Sequence, residues 1–215
     1  MKRLPVQITL GAVVLVAGVL LFIQTAGWAT IPGPVWAAVL AVVSGAFWYV
    51  FFADADAWWA AIPGAALAGA AVTPLMELDP DGLGQWTEVP MLALLGVGFA
   101  AIYLRDHRRW WAIIPAGVLL TLSIVTAIAA AASGPVVGAV FLTGAAVTFA
   151  LVALLPGGQT RRWWALIPAG ALAIAALVVL AGASEWLLVL NLAWPLAIVA
   201  AGTFIIWRAL RPSRR

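Results

Sequence analysis

Cysteine is absent from the 215 residues and histidine occurs once, at His107. The first absence removes disulfides, thiolate nucleophiles and Cys metal sites together, and the second removes any cage of several histidines. Charge is scarce too: 9% of the residues are Asp, Glu, Lys or Arg, against 66% hydrophobic, with a mean hydropathy of +1.12. A soluble domain carries about 25% charged residues. Lipid is the solvent that tolerates such a surface, so the chain reads as a polytopic membrane protein. No ionisable residue falls in the middle of any predicted span, which weighs against proton relays, voltage sensors and ion-coupled transport. Serine-nucleophile motifs, phosphate-binding glycine loops and HExxH are missing as well, and the chain is read as no enzyme. The net charge of +3 would suggest nucleic acid in a soluble protein; here its distribution carries the information and no nucleic acid is expected.

What is present is a repeat. RRWWAIIPAG, Arg108 to Gly117, returns as RRWWALIPAG from Arg161 to Gly170. DAWWAAIPGA runs from Asp56 to Ala65, and a faded KRLPVQITLG begins at Lys2. The copies start roughly fifty residues apart, the period of one reused supersecondary unit. Arginine stays in water, the Trp pair sits at headgroup level, and Pro stands early in a helix, where a missing N–H costs little.

A window of about 20 apolar residues gives eight predicted spans: 5–25, 34–53, 58–76, 87–104, 110–132, 135–156, 163–182 and 186–210. The first could pass for a signal peptide, but its apolar run is nearer twenty residues than ten, so it is read as a span. The expected fold is all-α, a transmembrane helical bundle of eight spans built from four hairpins, with units near 1–55, 56–107, 108–160 and 161–215. Each second span ends on a shared pattern around Phe47, Phe99, Phe149 and Phe204. Thr87, Ser133 and Ser184 are expected helix caps. Helix packing should rest on small residues such as Gly64 with Ala68, Ala65 with Gly69, and Gly138 with Gly144.

All eleven Lys and Arg fall on one side of this eight-span arrangement, the side holding both termini and the loops near 54–57, 105–109 and 157–162. The positive-inside rule therefore predicts cytoplasmic termini. Asp54 and Asp56 stand out there, where other copies carry arginine. Trp58, Trp59, Trp110, Trp111, Trp163 and Trp164 are expected interface anchors; a pigment or aromatic-ligand site is the other reading of so many tryptophans. Arg105, Arg108, Arg109, Arg161 and Arg162 are expected to attract anionic lipid headgroups.

The spans hold a few polar groups, among them Gln7, Thr9, Ser44, Thr121, Ser123, Thr126, Thr143, Thr148, Asn191 and Thr203. Ser and Thr usually bond to their own or a neighbouring helix. Asn191, near Trp194-Pro195, reads as an interhelix bond beside a kink or as a polar contact to a solute. On the acidic side, ELDPDGLGQWTE (77–88) matches the spacing of a calcium loop, with Glu77, Asp79, Asp81 and Glu88 as ligands and Gly82 at the turn. Glu at the first position, the inserted Pro80 and Gly84 depart from that pattern, and a plain solvated turn is the other reading.

The stretches RRWWAIIPAGVLLTLSIVTAI and GAVFLTGAAVTFALVALLP resemble a group of bacterial membrane proteins that repeat a WWALIPGG-type hairpin opening and a GLxFLGLGLTF-type second span. In hairpin period the chain is similar, more distantly, to the HdeD-like acid-resistance membrane proteins. The resemblance is fullest over 108–170, weaker over 58–104 and faint at the ends. It implies a bacterial cytoplasmic-membrane protein and carries over no catalytic residue. The function expected is a non-enzymatic structural or accessory subunit or scaffold, contacting lipid and other membrane subunits or itself; a small channel or transporter for a neutral solute is the alternative.

Overall fold

The computed structural model describes residues 11, 15–16, 18–28, 30–129, 131–132, 134–155, 162–181, 195, 198–199 and 203. Six α-helices are described in full: α1 (Gly33–Ala53), α2 (Ala61–Met76), α3 (Glu88–Arg105), α4 (Ile113–Ala129), α5 (Gly134–Leu154) and α6 (Leu166–Leu180). Counted with the short turns that lead into them, these six are long and apolar enough to cross a membrane. They match the second to seventh predicted spans to within three residues at either end. Residues 18–25 are also helical, while most of the eighth predicted span, with Ser133 and Ser184, lies outside the described residues.

The entry into α2, α4 and α6 is the same each time. The Trp pair and the following alanine form a 3₁₀ turn, at Trp58–Ala60, Trp110–Ala112 and Trp163–Ala165, before the α-helix begins. The cause is the proline three residues beyond that alanine. Pro63, Pro115 and Pro168 lack the N–H that would reach the second Trp carbonyl four residues back. That carbonyl instead takes the N–H of Ala61, Ile113 or Leu166, which it shares with the carbonyl of the first Trp. The alanine of each turn is fully buried: Ala60, Ala112 and Ala165 are all 0% exposed. A larger side chain there would push the turn off its neighbours.

Among the described residues every extensive helix–helix contact joins sequence neighbours, α1 to α2 and so on to α6. The helices therefore stand in a serial row, each held chiefly by the one before and the one after, as in stacked repeat architectures. In lipid such contacts rest on close packing, because apolar side chains gain little by leaving the bilayer. Small residues make the close approach possible. A Cβ on Gly98 would meet Ala65 and stand 3.0 Å from the Ala61 carbonyl oxygen, so α2 and α3 touch almost backbone to backbone.

Between α4 and α5 the fit is reciprocal. Gly117 lies under Thr148 and Gly144 under Thr121, and a Cβ on either glycine would overlap the threonine. Each threonine hydroxyl turns back to its own helix: Thr121 Oγ1 donates to the Gly117 carbonyl at 2.7 Å, and Thr148 Oγ1 to the Gly144 carbonyl at 2.8 Å. The two Gly-x-x-x-Thr stretches thus interlock with no polar atom left open.

Two sequence expectations need correction. Gly138 and Gly144 do not share a face: Gly138 looks toward Val179 of α6, Gly144 toward Thr121 of α4. Thr87 does not cap α3 through its side chain; its backbone is already helical at φ −56° and ψ −28°. The chain enters α3 from a 3₁₀ turn, Leu83–Trp86, and so has no extended residue at which a side-chain cap could form.

Candidate functional site

The residues with chemical character gather at one end of the row, where the Trp pairs enter the helices. Trp58 meets Trp111 edge to face at 5.5 Å, and Trp110 meets Trp164 at 6.3 Å. The first Trp of one copy thus touches the second Trp of the next. Phe47, Phe99 and Phe149 each close on the second Trp of the copy that follows them, at 6.2, 6.3 and 6.5 Å. Six tryptophans form a continuous belt in which sequence neighbours alternate with edge-to-face contacts. Trp58 and Trp110 are partly buried, while Trp59 is 50% exposed and Trp164 49%. A ring buried on one side and open on the other suits the membrane–water boundary.

Arginines lie over this belt. The Arg109 guanidinium sits 4.7 Å from the Trp58 ring centre and Arg162 4.5 Å from that of Trp110, each reaching back one copy. Arg105 lies 4.6 Å over the buried Phe51, joining the ends of α3 and α1. Its Nη1 is covered yet has no hydrogen-bond partner among the described residues. Arg108 is exposed, and Arg161 lies outside the described residues.

Asp54 and Asp106 occupy the same place, each seven residues after its Phe. Asp54 Oδ1 accepts the N–H of Asp56 at 3.0 Å, and Asp106 Oδ1 that of Arg108 at 3.0 Å. Both then close the turn through their own carbonyl, to Ala57 and Arg109. Asp54 is therefore a turn-former shared with the next copy and not a replacement for arginine; Asp56 and Ala57 stand where Arg108 and Arg109 do. Asp106 also pairs with Arg109 at 3.3 Å. Sorting charges by sign passed over this turn, although the shared spacing Phe-x₆-Asp could have revealed it.

Among the described residues the buried Ser and Thr hydroxyls are engaged within the protein. Ser44 Oγ donates across the α1–α2 interface to the Gly64 carbonyl at 2.7 Å, and Ser123 donates to Leu120 at 2.9 Å. Thr121 and Thr148 have been described above. Thr203 Oγ1 donates to the Val199 carbonyl at 2.7 Å. Gln7, Thr9 and Asn191 lie outside the described residues.

At the other end of the row, Glu77, Asp79, Asp81 and Glu88 are all exposed. Among the described residues no three of His, Asp and Glu come together as a metal cluster would. Asp79 folds onto its own loop instead, its carboxylate accepting the Leu83 N–H at 3.3 Å and its carbonyl the Gly84 N–H at 2.8 Å. The tight turn that the glycines signalled is formed by these bonds. Comparison with protein-family models, with curated proteins and with solved structures finds no match to this chain.

Proposed function

We propose that the protein is a non-enzymatic integral membrane subunit or scaffold of a bacterial cytoplasmic membrane, with eight spans in four hairpins and both termini cytoplasmic. The observation that carries this reading is the internal engagement of the buried hydroxyls. Ser44, Thr121, Ser123 and Thr148 each donate to a helix carbonyl, so they brace helices instead of facing a solute. A pathway for a neutral solute would need such groups turned toward a common space. Large apolar side chains meanwhile point away from the row: Val35, Val42, Tyr49 and Phe52 form one exposed line along α1. Such a surface suits lipid and the helices of other membrane proteins.

Affinity purification from native membranes in mild detergent, with chemical cross-linking before extraction, tests this. The expected result is a reproducible cross-linked assembly with another membrane protein or with a second copy. A chain that never cross-links, yet conducts a small neutral solute in proteoliposomes, would overturn the reading in favour of a channel.

A further inference from the structure

The face of α6 that stands open has the register of the α4 face that is covered. In α4 the Ala116 carbonyl and the Leu120 side chain lie against Gly96 of α3, while Gly117 lies under Thr148 of α5. Ala169 and Gly170 follow Trp163 at the same intervals at which Ala116 and Gly117 follow Trp110. α6 packs on α5 with Ala169 buried. Gly170 is exposed, and among the described residues nothing lies within 4 Å of where its Cβ would stand. Ile167, Ile174 and Leu177 continue the open face.

The chain itself carries the complement of this face. Thr203 precedes Phe204 as Thr148 precedes Phe149 and Gly98 precedes Phe99. Its hydroxyl makes the bond that Thr148 makes, donating to the carbonyl four residues back at 2.7 Å against 2.8 Å. With that bond formed, Thr203 can enter an apolar seat and leave no polar group open. The spacing also fits. Gly117 and Thr148 meet at 31 residues apart and Ala65 and Gly98 at 33, and Gly170 and Thr203 are 33 apart. The stretch 181–185, between α6 and the predicted eighth span, falls within the roughly 2–8 residues that join antiparallel helix neighbours.

The last copy differs at one place. Both complete hairpins have a second close approach one turn further from the tryptophan belt, with Gly69 against Met91 and Gly144 under Thr121. Ile174 stands where Gly69 and Thr121 do, and Val199 where Gly144 does. Two branched side chains there hold backbones apart, because close packing in lipid depends on small residues.

We propose that the open face of α6 seats the chain's own last span, with Thr203 on Gly170 and one close approach where the other hairpins have two. The inference rests on the eight-span reading above, since the last span must return beside α6. A cysteine at Ser213 separates the two failures. It is labelled from outside intact cells by an impermeant thiol reagent if the span does not return, and stays protected if only the docking is wrong.

The docking is tested by paired cysteines in the otherwise cysteine-free chain, oxidised in native membranes. Non-reducing gels separate linked dimers from single chains, and mass spectrometry of digests identifies bonds within a chain. Gly170→Cys with Thr203→Cys should form a bond within one chain, as should Ala65→Cys with Gly98→Cys, where the structure already shows the contact. Ile174→Cys with Val199→Cys should oxidise several-fold more slowly. Gly170→Val, which needs no cysteine, should lower the unfolding midpoint in detergent as Gly117→Val does. A linked dimer from the Gly170 and Thr203 pair would give the face to a second copy and overturn the proposal. So would free thiols at both positions while the Ala65 and Gly98 pair oxidises, or a midpoint that Gly170→Val leaves unmoved, since lipid would then cover the face. Equal rates for the Gly170 and Ile174 pairs would overturn the single close approach.

Discussion

Arg109 and Arg162 do two jobs with one side chain. Each keeps its charge at the aqueous edge while its planar face covers a tryptophan of the preceding copy. A cation over an indole contributes about 0.5–1 kcal/mol at exposed sites and more when water is excluded. The Arg109–Asp106 pair adds little by itself, because the two side chains are 26% and 40% exposed and pairs this open contribute at most about 1 kcal/mol. Arg109→Gln should therefore lower unfolding stability in detergent by about 0.5–1 kcal/mol, and by clearly less when Trp58 is already leucine. Equal losses in both backgrounds would show that the ring contact contributes nothing. The turn carboxylates permit a second check. Asp54→Asn keeps an oxygen for the Asp56 N–H and should be close to neutral. Asp54→Ala removes the acceptor and should cost about 0.5–1.5 kcal/mol. A loss of the same size for both variants would assign the effect of Asp54 to its charge.

At the scale of the helix, the interlock of α4 and α5 depends on the missing Cβ of two glycines more than on the hydroxyls above them. Gly117→Val and Gly144→Val should each cost about 1–3 kcal/mol by overpacking. Thr148→Val keeps the shape and gives up only a bond to its own helix, so it should cost less than Gly117→Val. The reverse order in thermal unfolding would mean that the hydroxyl, and not the close approach, holds the pair. This difference also explains what the sequence could and could not convey. Helix ends were legible to within three residues, because Trp-Trp, Pro and the charged loops punctuate long apolar runs. Helix faces were not. A chain apolar on all sides offers no stripe to orient each span, and small residues serve both neighbours: Gly64 faces α1 while Ala65 and Gly69 face α3. Asp106 hid among arginines because its turn is local geometry, visible once the copies are aligned on a common origin such as Phe47 and Phe99.

For the whole molecule, the topology we propose makes one claim: successive helices cross the membrane in alternate directions, with the tryptophan–arginine belt inside. The absence of cysteine gives labelling without background. Single cysteines at Gly82, in the acidic loop, and at Ala55 and His107, in the two belt-side loops, divide the possibilities cleanly. In intact cells a membrane-impermeant thiol reagent should modify the Gly82 cysteine, and should reach those at Ala55 and His107 only after the membrane is permeabilised. Modification at His107 in intact cells, with Gly82 protected, would contradict the account.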